Sequence, residues 1–382
     1  MNALVANAKS ASSLAVIRSL GCKGINITGA SDIMSDFPLY SKYCRKKIFL
    51  RSDPEDIETR LDELLDILKN NHFDVFLPVM SENSLLALAK RKNDFEKYTR
   101  ITLPSFDQLS LLNNKASVSS LLAELGLPRP KTYFVESDLI LDSIKKDAVF
   151  PLVIKAFRGE GATGIKVITN PEDLVRCYHD INKNYGPAMI QEFIHGTKHT
   201  AVFLLNKNSE VRRFFVHQAI REYPISGGPT CFLKSVKYDP IFEDGLKLLK
   251  RVHFTGLASM EFIVDEKDGR PKIIDVNPRF YGPLQCAVAA GADLPFAFYN
   301  LAMQGDIETD LSYKTEVTCR HLLFEDTKHL MSVLKGTKSP KYTIGKMATV
   351  LNYLNFFRDD SYFVLSLSDP YPAFKKLIHH FA

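Results

Sequence analysis

An α/β domain followed by a longer α+β region is the fold class this sequence predicts, and three observations carry the prediction. The first hundred or so residues alternate short apolar runs with helical patterns, the mark of parallel strands joined by right-handed crossovers. Beyond them, strand-like runs come in neighbouring pairs, one pair flanking the turn signal Asp268-Gly269. Finally, 382 residues with 45% hydrophobic and 24% charged content describe a soluble globular chain of two or three domains.

The elements follow in order. "ALVAN", "GINITGA" and "DVFLPV" read as strands, and "SSLAVIRSLG" and "DIETRLDELLDILKNN" as the helices between them. Gly21 is expected to cap the first helix, because glycine enters the left-handed region without steric cost. The turn after the first strand, "NAKSAS", lacks the glycines that admit a dinucleotide pyrophosphate, which disfavours a nicotinamide or flavin role. "LPVMSENS", residues 77 to 84, ends a strand at the carboxyl edge of this sheet, where open α/β sheets bind ligands. Ser81 and Glu82 are therefore candidates for substrate contact, against the commoner role of helix capping.

A boundary is expected near residues 105 to 112. After it a helix from about Lys115 to Leu125 is closed by Gly126, with Pro128 and Pro130 beyond. "AVFPLVIKAF", "GIKVI", "PAMIQEFI", "TAVFLL" and "RRFFVHQAI" are strand-like, a helix lies near 241 to 252, and "ASMEFIVDEKDGRPKIIDVN" is a hairpin. After about 310 the pattern mixes helix and strand without a readable motif.

Charge and cysteine content exclude several classes. The net charge of +5 is scattered apart from "KYCRKK" at 42 to 47, which reads as a solvated face rather than a nucleic-acid patch. The six cysteines lie far apart with no CxxC pair, which suits a reducing cytoplasm. Neither a signal-peptide pattern nor an apolar run of membrane-spanning length is present, so a membrane location is not expected.

Chemistry concentrates on the hairpin. With its turn near Asp268-Gly269, Glu261 falls opposite Asp275 or its neighbour, and Ile273, Asp275 and Asn277 are expected on one face. Facing carboxylates destabilise a sheet unless a cation lies between them, and hard divalent ions take such oxygen ligands. A magnesium site that also engages nucleotide phosphates is the simplest resolution. Upstream, "PLVIKAFRGEGATGIKVI" supplies a lysine at a strand end, Lys155, and a loop with Gly159, Gly161 and Gly164 whose backbone N–H groups can close over phosphate. It is not a Walker loop, since it joins two strands.

Taken together and in order, "NNKASVSSLLAELGLPRP", "PLVIKAFRGEGATGIKV", "MIQEFIHG", "SMEFIVD" and "IIDVNPR" resemble the ATP-grasp superfamily, in particular its carboxylate–amine ligases and the synthetase halves of carbamoyl-phosphate synthase and biotin carboxylase. The resemblance runs to about residue 300. It implies a Rossmann-like pre-ATP-grasp domain over 1–108, then a two-lobed ATP-grasp fold: an N-lobe with a glycine-rich flap over 109–190 and a C-lobe with the metal site over 191–310. Residues 311–382 remain as an α/β extension. It further implies that Lys115 and Lys155 contact the nucleotide phosphates under the Gly159–Gly164 flap. Gln191, Glu192 and Ile194 would meet adenine at the hinge, and Glu261, Asp275 and Asn277 would bind magnesium or manganese. Arg279 would steady the transferring phosphoryl group, and Arg221, with Gly227 and Gly228, would contact the substrate carboxylate and acyl phosphate.

Two positions depart from the family pattern. Gly196 is followed by Thr197, Lys198 and His199 where relatives carry a ribose-binding glutamate, which makes His199 the candidate replacement. Asp275 stands where glutamate is commoner, one methylene shorter with the same charge. The implied reaction is ATP-dependent phosphorylation of a small-molecule carboxylate to an acyl phosphate, which an amine then attacks, with release of ADP and phosphate. A carbamoyl-phosphate or carboxylase-type activity on bicarbonate, and a non-catalytic nucleotide-binding protein, are the alternatives. No nucleic-acid or membrane partner is expected, and relatives are often dimers.

Overall fold

The computed structural model describes residues 1–159, 163–225, 227–337 and 345–381. Four strands, β1 (Asn2–Ala6), β2 (Asn26–Ser31), β3 (Cys44–Phe49) and β4 (Val75–Pro78), form a fully parallel sheet in the order β3-β2-β1-β4. Alternation along β1 sends Ala3 and Val5 towards Leu14, Ile17 and Leu20 of the helix Ala11–Gly21, and Leu4 and Ala6 towards Leu61 and Leu64 of the helix Ile57–Asn70. Ser10 starts the first helix with a capping box.

Gly21 does not cap that helix. It is the last helical residue, a Cβ there would lie 2.4 Å from Tyr43 Cβ, and the left-handed position belongs to Gly24, φ +82°. Close packing, rather than backbone freedom, requires this glycine. The basic run forms the edge strand β3, with Arg45, Lys46 and Lys47 exposed, an arrangement that protects an edge from pairing with another chain.

The second sheet is antiparallel, β5 (Thr132–Phe134), β6 (Leu152–Ala156), β7 (Ile165–Ile168) and β8 (Ala188–Glu192), in the order β5-β8-β6-β7. The helices Asp138–Asp147 and Leu174–Tyr185 bury their apolar sides against it. Only three residues separate β8 from β9, the first strand of a third sheet.

That sheet has seven strands: β9 (Gly196–Leu205), β10 (Val211–Glu222), β11 (Thr230–Ser235), β12 (Gly256–Asp265), β13 (Pro271–Asn277), β14 (Thr318–Arg320) and β15 (Ser361–Tyr362), ordered β13-β12-β9-β10-β11-β14-β15. One face, with Ala201, Phe203, Met260 and Phe262, packs under the helix Asp239–Arg251. The other face, with Val202, Leu204, Phe215 and Leu257, shares a core with the first domain and the helix Leu294–Gln304.

The last seventy residues complete this sheet through β14 and β15 and tie it to the first domain. Asp369, fully buried, accepts from Arg18 Nε at 2.8 Å, Ser41 Oγ at 2.7 Å and the Lys42 backbone N–H at 2.9 Å. Among the described residues no helix is long and apolar enough to cross a membrane.

Candidate active site

The hairpin β12–β13 sets the first part of the site. Its turn places Gly269 at φ +67°, and the register pairs Glu261 with Asp275 and Ser259 with Asn277. Between Glu261 and Phe262 the register slips by one residue, so that Phe262 pairs with Ile273 and Ile274 is the extra residue of a bulge. Strict alternation would put Ile273 beside Asp275. The bulge instead turns Ile273 into the apolar core under the helix Asp239–Arg251, and its backbone N–H bonds Pro128 O. The Ile274 carbonyl in turn accepts from Lys155 Nζ at 3.0 Å. A local irregularity thus joins the lysine of one sheet to the acid strand of the other.

Lys115, the first residue of the helix Lys115–Glu124, comes to the same place. Its ammonium is buried, donates to Gly159 O at 3.1 Å and lies 3.2 Å from Asp275 Oδ1. Burial opposes its charge, yet Asp275, Glu82 and Glu261 outweigh that cost and its pKa is raised. Gly159 and Gly164 lie on the connection between β6 and β7 where the flap is expected, of which residues 160–162 lie outside the described residues. Gly164 has φ +72°, and a Cβ there would come within 2.8 Å of Ala156 Cβ. Gly161 lies outside the described residues.

Asn277 Oδ1 accepts from Arg279 at 3.2 Å, and Arg279 Nε lies 3.3 Å from Glu82 Oε1. Glu82 is buried at the start of the helix Glu82–Lys90, whereas neighbouring Ser81 caps that helix through Ser84 N. The first domain therefore contributes a carboxylate to the cleft.

At the passage from β8 to β9, Gln191 is buried, donates to Thr132 Oγ1 at 3.0 Å, and has no hydrogen-bond partner for its side-chain oxygen among the described residues. A narrow crevice lined by Lys115, Val118, Leu122, Met189, Gln191 and Asp275 opens beside it. The Glu192 carboxylate accepts from the Lys131 backbone N–H at 2.9 Å and lies 3.6 Å from Lys272, and Ile194 is buried.

Two expectations are corrected by the geometry. His199 pairs with Phe262 on the face of the sheet opposite Glu261, its ring against Tyr238 and its Nδ1 3.1 Å from Thr197 O. Period-two alternation puts it there, out of reach of a ligand on the acid face; burial also lowers its pKa. Arg221, expected beside a substrate carboxylate, grips Asp326 through Nε at 2.7 Å and a terminal nitrogen at 3.0 Å, over the Phe232 ring. Its fork is already engaged with a buried carboxylate.

Lys198 is the residue that motif reading passed over. Alternation puts it on the acid face, with its Nζ 3.0 Å from Glu261 Oε2, 3.1 Å from Glu222 Oε1 and 3.4 Å from Gly228 O. Burial works against the ammonium, but Glu261 and Glu222 together raise its pKa. It links the acid pair to the Gly227–Gly228 loop. The only sequence signal was its place where the family pattern breaks. On the same face His217 stacks on Tyr281 at 5.9 Å, and neither its ring nitrogens nor the Tyr281 hydroxyl has a hydrogen-bond partner among the described residues.

Glu261, Asp275 and Asn277 offer hard oxygen donors, and an Asp275 oxygen is buried without a well-formed hydrogen bond. Among the described residues no group of three or more His, Cys, Asp or Glu could hold a metal alone. The set fits magnesium, which takes one or two carboxylates and completes its shell with water and phosphate oxygens.

Residues 112–283 match the family model described as ATP-grasp domain. Pyruvate carboxylase of Staphylococcus aureus (strain Mu50) is 23% identical over 303 residues, 70% of this chain and 25% of its own length. The chain thus spans about a quarter of that relative. Among solved structures, the biotin carboxylase domain dimer of Hydrogenobacter thermophilus 2-oxoglutarate carboxylase, in complex with MgADP, ADP and bicarbonate, superposes with a TM-score of 0.68 at 19% identity, covering 83% of this chain and 73% of that one. L-amino acid ligase from Bacillus licheniformis superposes with a TM-score of 0.61 at 18% identity, covering 80% and 75%.

Proposed function

The chain carries an ATP-grasp domain over residues 112–283, and from that premise we propose that it is an ATP- and magnesium-dependent carboxylate–amine ligase. One observation carries the reading: Lys115 and Lys155 from the flap side meet Glu261, Asp275, Asn277 and Arg279 from the sheet side in one cleft. Two ammonium groups and a guanidinium beside a carboxylate pair suit a polyphosphate held through a divalent cation.

In this reading Lys115 and Lys155 bind the phosphates. Glu261, Asp275 and Asn277 would hold magnesium, which when bound would supply charge neutralisation to the nucleotide phosphates. The Gln191 side-chain oxygen, which has no hydrogen-bond partner among the described residues, suits a hydrogen-bonding base at the hinge. Arg279, next to Glu82, faces the group that receives the phosphoryl, and its guanidinium offsets the charge that develops there. A substrate carboxylate becomes an acyl phosphate, and an amine displaces phosphate to leave an amide.

The likeness to a biotin carboxylase domain solved with MgADP and bicarbonate supports a second reading, phosphorylation of bicarbonate. One experiment separates the two. Purified protein with ATP and magnesium is offered pooled carboxylates and amines, or bicarbonate alone, and products are resolved for ADP, AMP and new masses. ADP that requires a carboxylate, with a new mass equal to acid plus amine minus water, is expected. Bicarbonate-dependent ADP release alone would favour the carboxylase reading, and AMP would sink the acyl-phosphate mechanism. The double variant Glu261→Gln, Asp275→Asn should lower turnover by on the order of 100-fold while the fold is kept.

A further inference from the structure

The C-terminal segment builds a second chemical arrangement, outside the cleft. His321 follows β14 and opens a π-helical turn, Leu322–Asp326. Such wide turns are rare and concentrate at functional sites. Here the turn folds the Glu325 carboxylate onto His321 Nδ1. The opposite ring nitrogen, Nε2, lies 2.7 Å from the Nζ of Lys376, which the helix Tyr371–Phe381 delivers. Carboxylate, imidazole and amine stand in series.

Their surroundings hold them there. The imidazole lies nearly parallel to the Phe363 ring, 5.1 Å between centroids and 20° between planes. The Lys376 amine is 4.0 Å from the centre of the Phe324 ring and 5.1 Å from that of Phe37 in the first domain. Lys376 is only half-buried, so a small reagent can reach it. A carboxylate that orients a histidine, which in turn serves a nucleophile, is the general logic of an activated nucleophile.

We propose that Lys376 is a nucleophilic amine, served by His321 as its base and by Glu325 as the group that orients His321, and that it accepts an acyl group from a small acyl phosphate. The neutral amine attacks the acyl carbon, a C–N bond forms, and the C–O bond to phosphate breaks, with the electron pair leaving on phosphate. The amine proton passes to His321 Nε2, beside the charge of Glu325, and then to the departing phosphate. No reductant or metal is needed. The product is a neutral amide at the seam between the C-terminal helix and the first domain.

Burial is the main influence on the amine and pushes its pKa down to about 8, with Lys328 acting in the same sense. Glu325 and the attraction of the two ring faces oppose that shift. Lys47 and Lys375, both over the neighbouring Tyr40 ring, add to the positive surroundings. Burial also lowers the pKa of His321, so the imidazole is free to accept a proton. The proposal does not rest on the ligase reading, because the acyl donor is supplied from outside.

The test treats the full chain with acetyl phosphate near pH 7.5 and follows each lysine by peptide mass spectrometry; Lys376 should acylate about ten-fold faster than the exposed Lys46 and Lys335. His321→Gln should lower that rate several-fold while the burial of Lys376 is kept, and Glu325→Gln should lower it less. Because His321→Gln also removes a ring packed on Phe363, the wild type supplies an independent readout. Its Lys376 acylation should level off near pH 8, whereas exposed lysines level off above about 10. Acylation no faster than at Lys46, or a midpoint above about 10, would overturn the proposal. Rapid acylation that survives His321→Gln would overturn the role of His321 as base.

Discussion

Two charged clusters share the seven-stranded sheet, and they are built to opposite ends. In the cleft, Lys115 pairs with Asp275 and Lys198 with Glu261 and Glu222, while the Asp275 and Glu261 side chains stay 20% and 29% exposed. In the second cluster, Arg221 and Arg320 close on Asp326, and Arg320 also holds Asp359 at 2.5 Å; Arg221, Arg320 and Asp326 are 3%, 2% and 0% exposed. The cleft acids have one side open, which the proposed exchange of their ammonium partners for a bound cation and phosphate requires. The closed cluster has no such freedom. Breaking a buried pair leaves an uncompensated charge, so its cost appears as lost stability.

The largest test of this contrast is Asp326→Asn, which removes the carboxylate charge that buried Arg221 grips and one of the two carboxylates that hold Arg320. It should cost about 3–5 kcal/mol in unfolding free energy, read by urea titration. If stability were kept and ATP turnover vanished, Arg221 would belong to the substrate site after all, and the contrast between the clusters would fail.

A second test reads acid solutions. Burial, helped by Lys198 and His199, pushes the His217 pKa down to about 3. The unfolded chain takes up this proton near pH 6.5 and the folded chain does not, so stability is lost as pH falls from about 6.5 towards 3, at up to about 1.4 kcal/mol per unit. Equilibrium unfolding at pH 7 and about 5.5 should show that loss in the wild type and less of it in His217→Gln. Equal pH dependence in the two proteins would mean that His217 reaches a proton or a partner inside the fold.

The smallest expected effect sharpens the role of Lys198. Lys198→Met removes one positive charge from Glu261 without emptying its space, so manganese should bind the free protein roughly ten-fold more tightly by spin-resonance titration, equivalent to about one pK unit of interaction. Unchanged manganese affinity would show that Lys198 serves the Gly228 loop rather than the acids.

Much of the site was legible because its signals are local. The alternation of strands and helices, the helix that starts at Lys115, the lysine at the end of β6 and the pairing of Glu261 with Asp275 all follow from spacings of a few residues. Legibility failed where one inserted residue or a distant partner intervened. The bulge at Ile274 moved Ile273 to the other face, and the Tyr43 side chain, not the helix end, explains Gly21. His199 sits directly beside Lys198, yet strand alternation sends one to the helix side and the other to the acids.

By itself the sequence determined the order of elements, the strand registers set by short turns, and the set of acids, lysines and glycines available, because these depend on periodicity and neighbouring residues. Only the tertiary structure decided which charges meet. Arg221 finds Asp326 across 105 positions, Glu82 reaches Arg279 from another domain across 197, and Lys376 meets His321 across 55. The physical reason is that a charge is assigned its role by its counter-charge and its exposure to water, and both are properties of the packed chain.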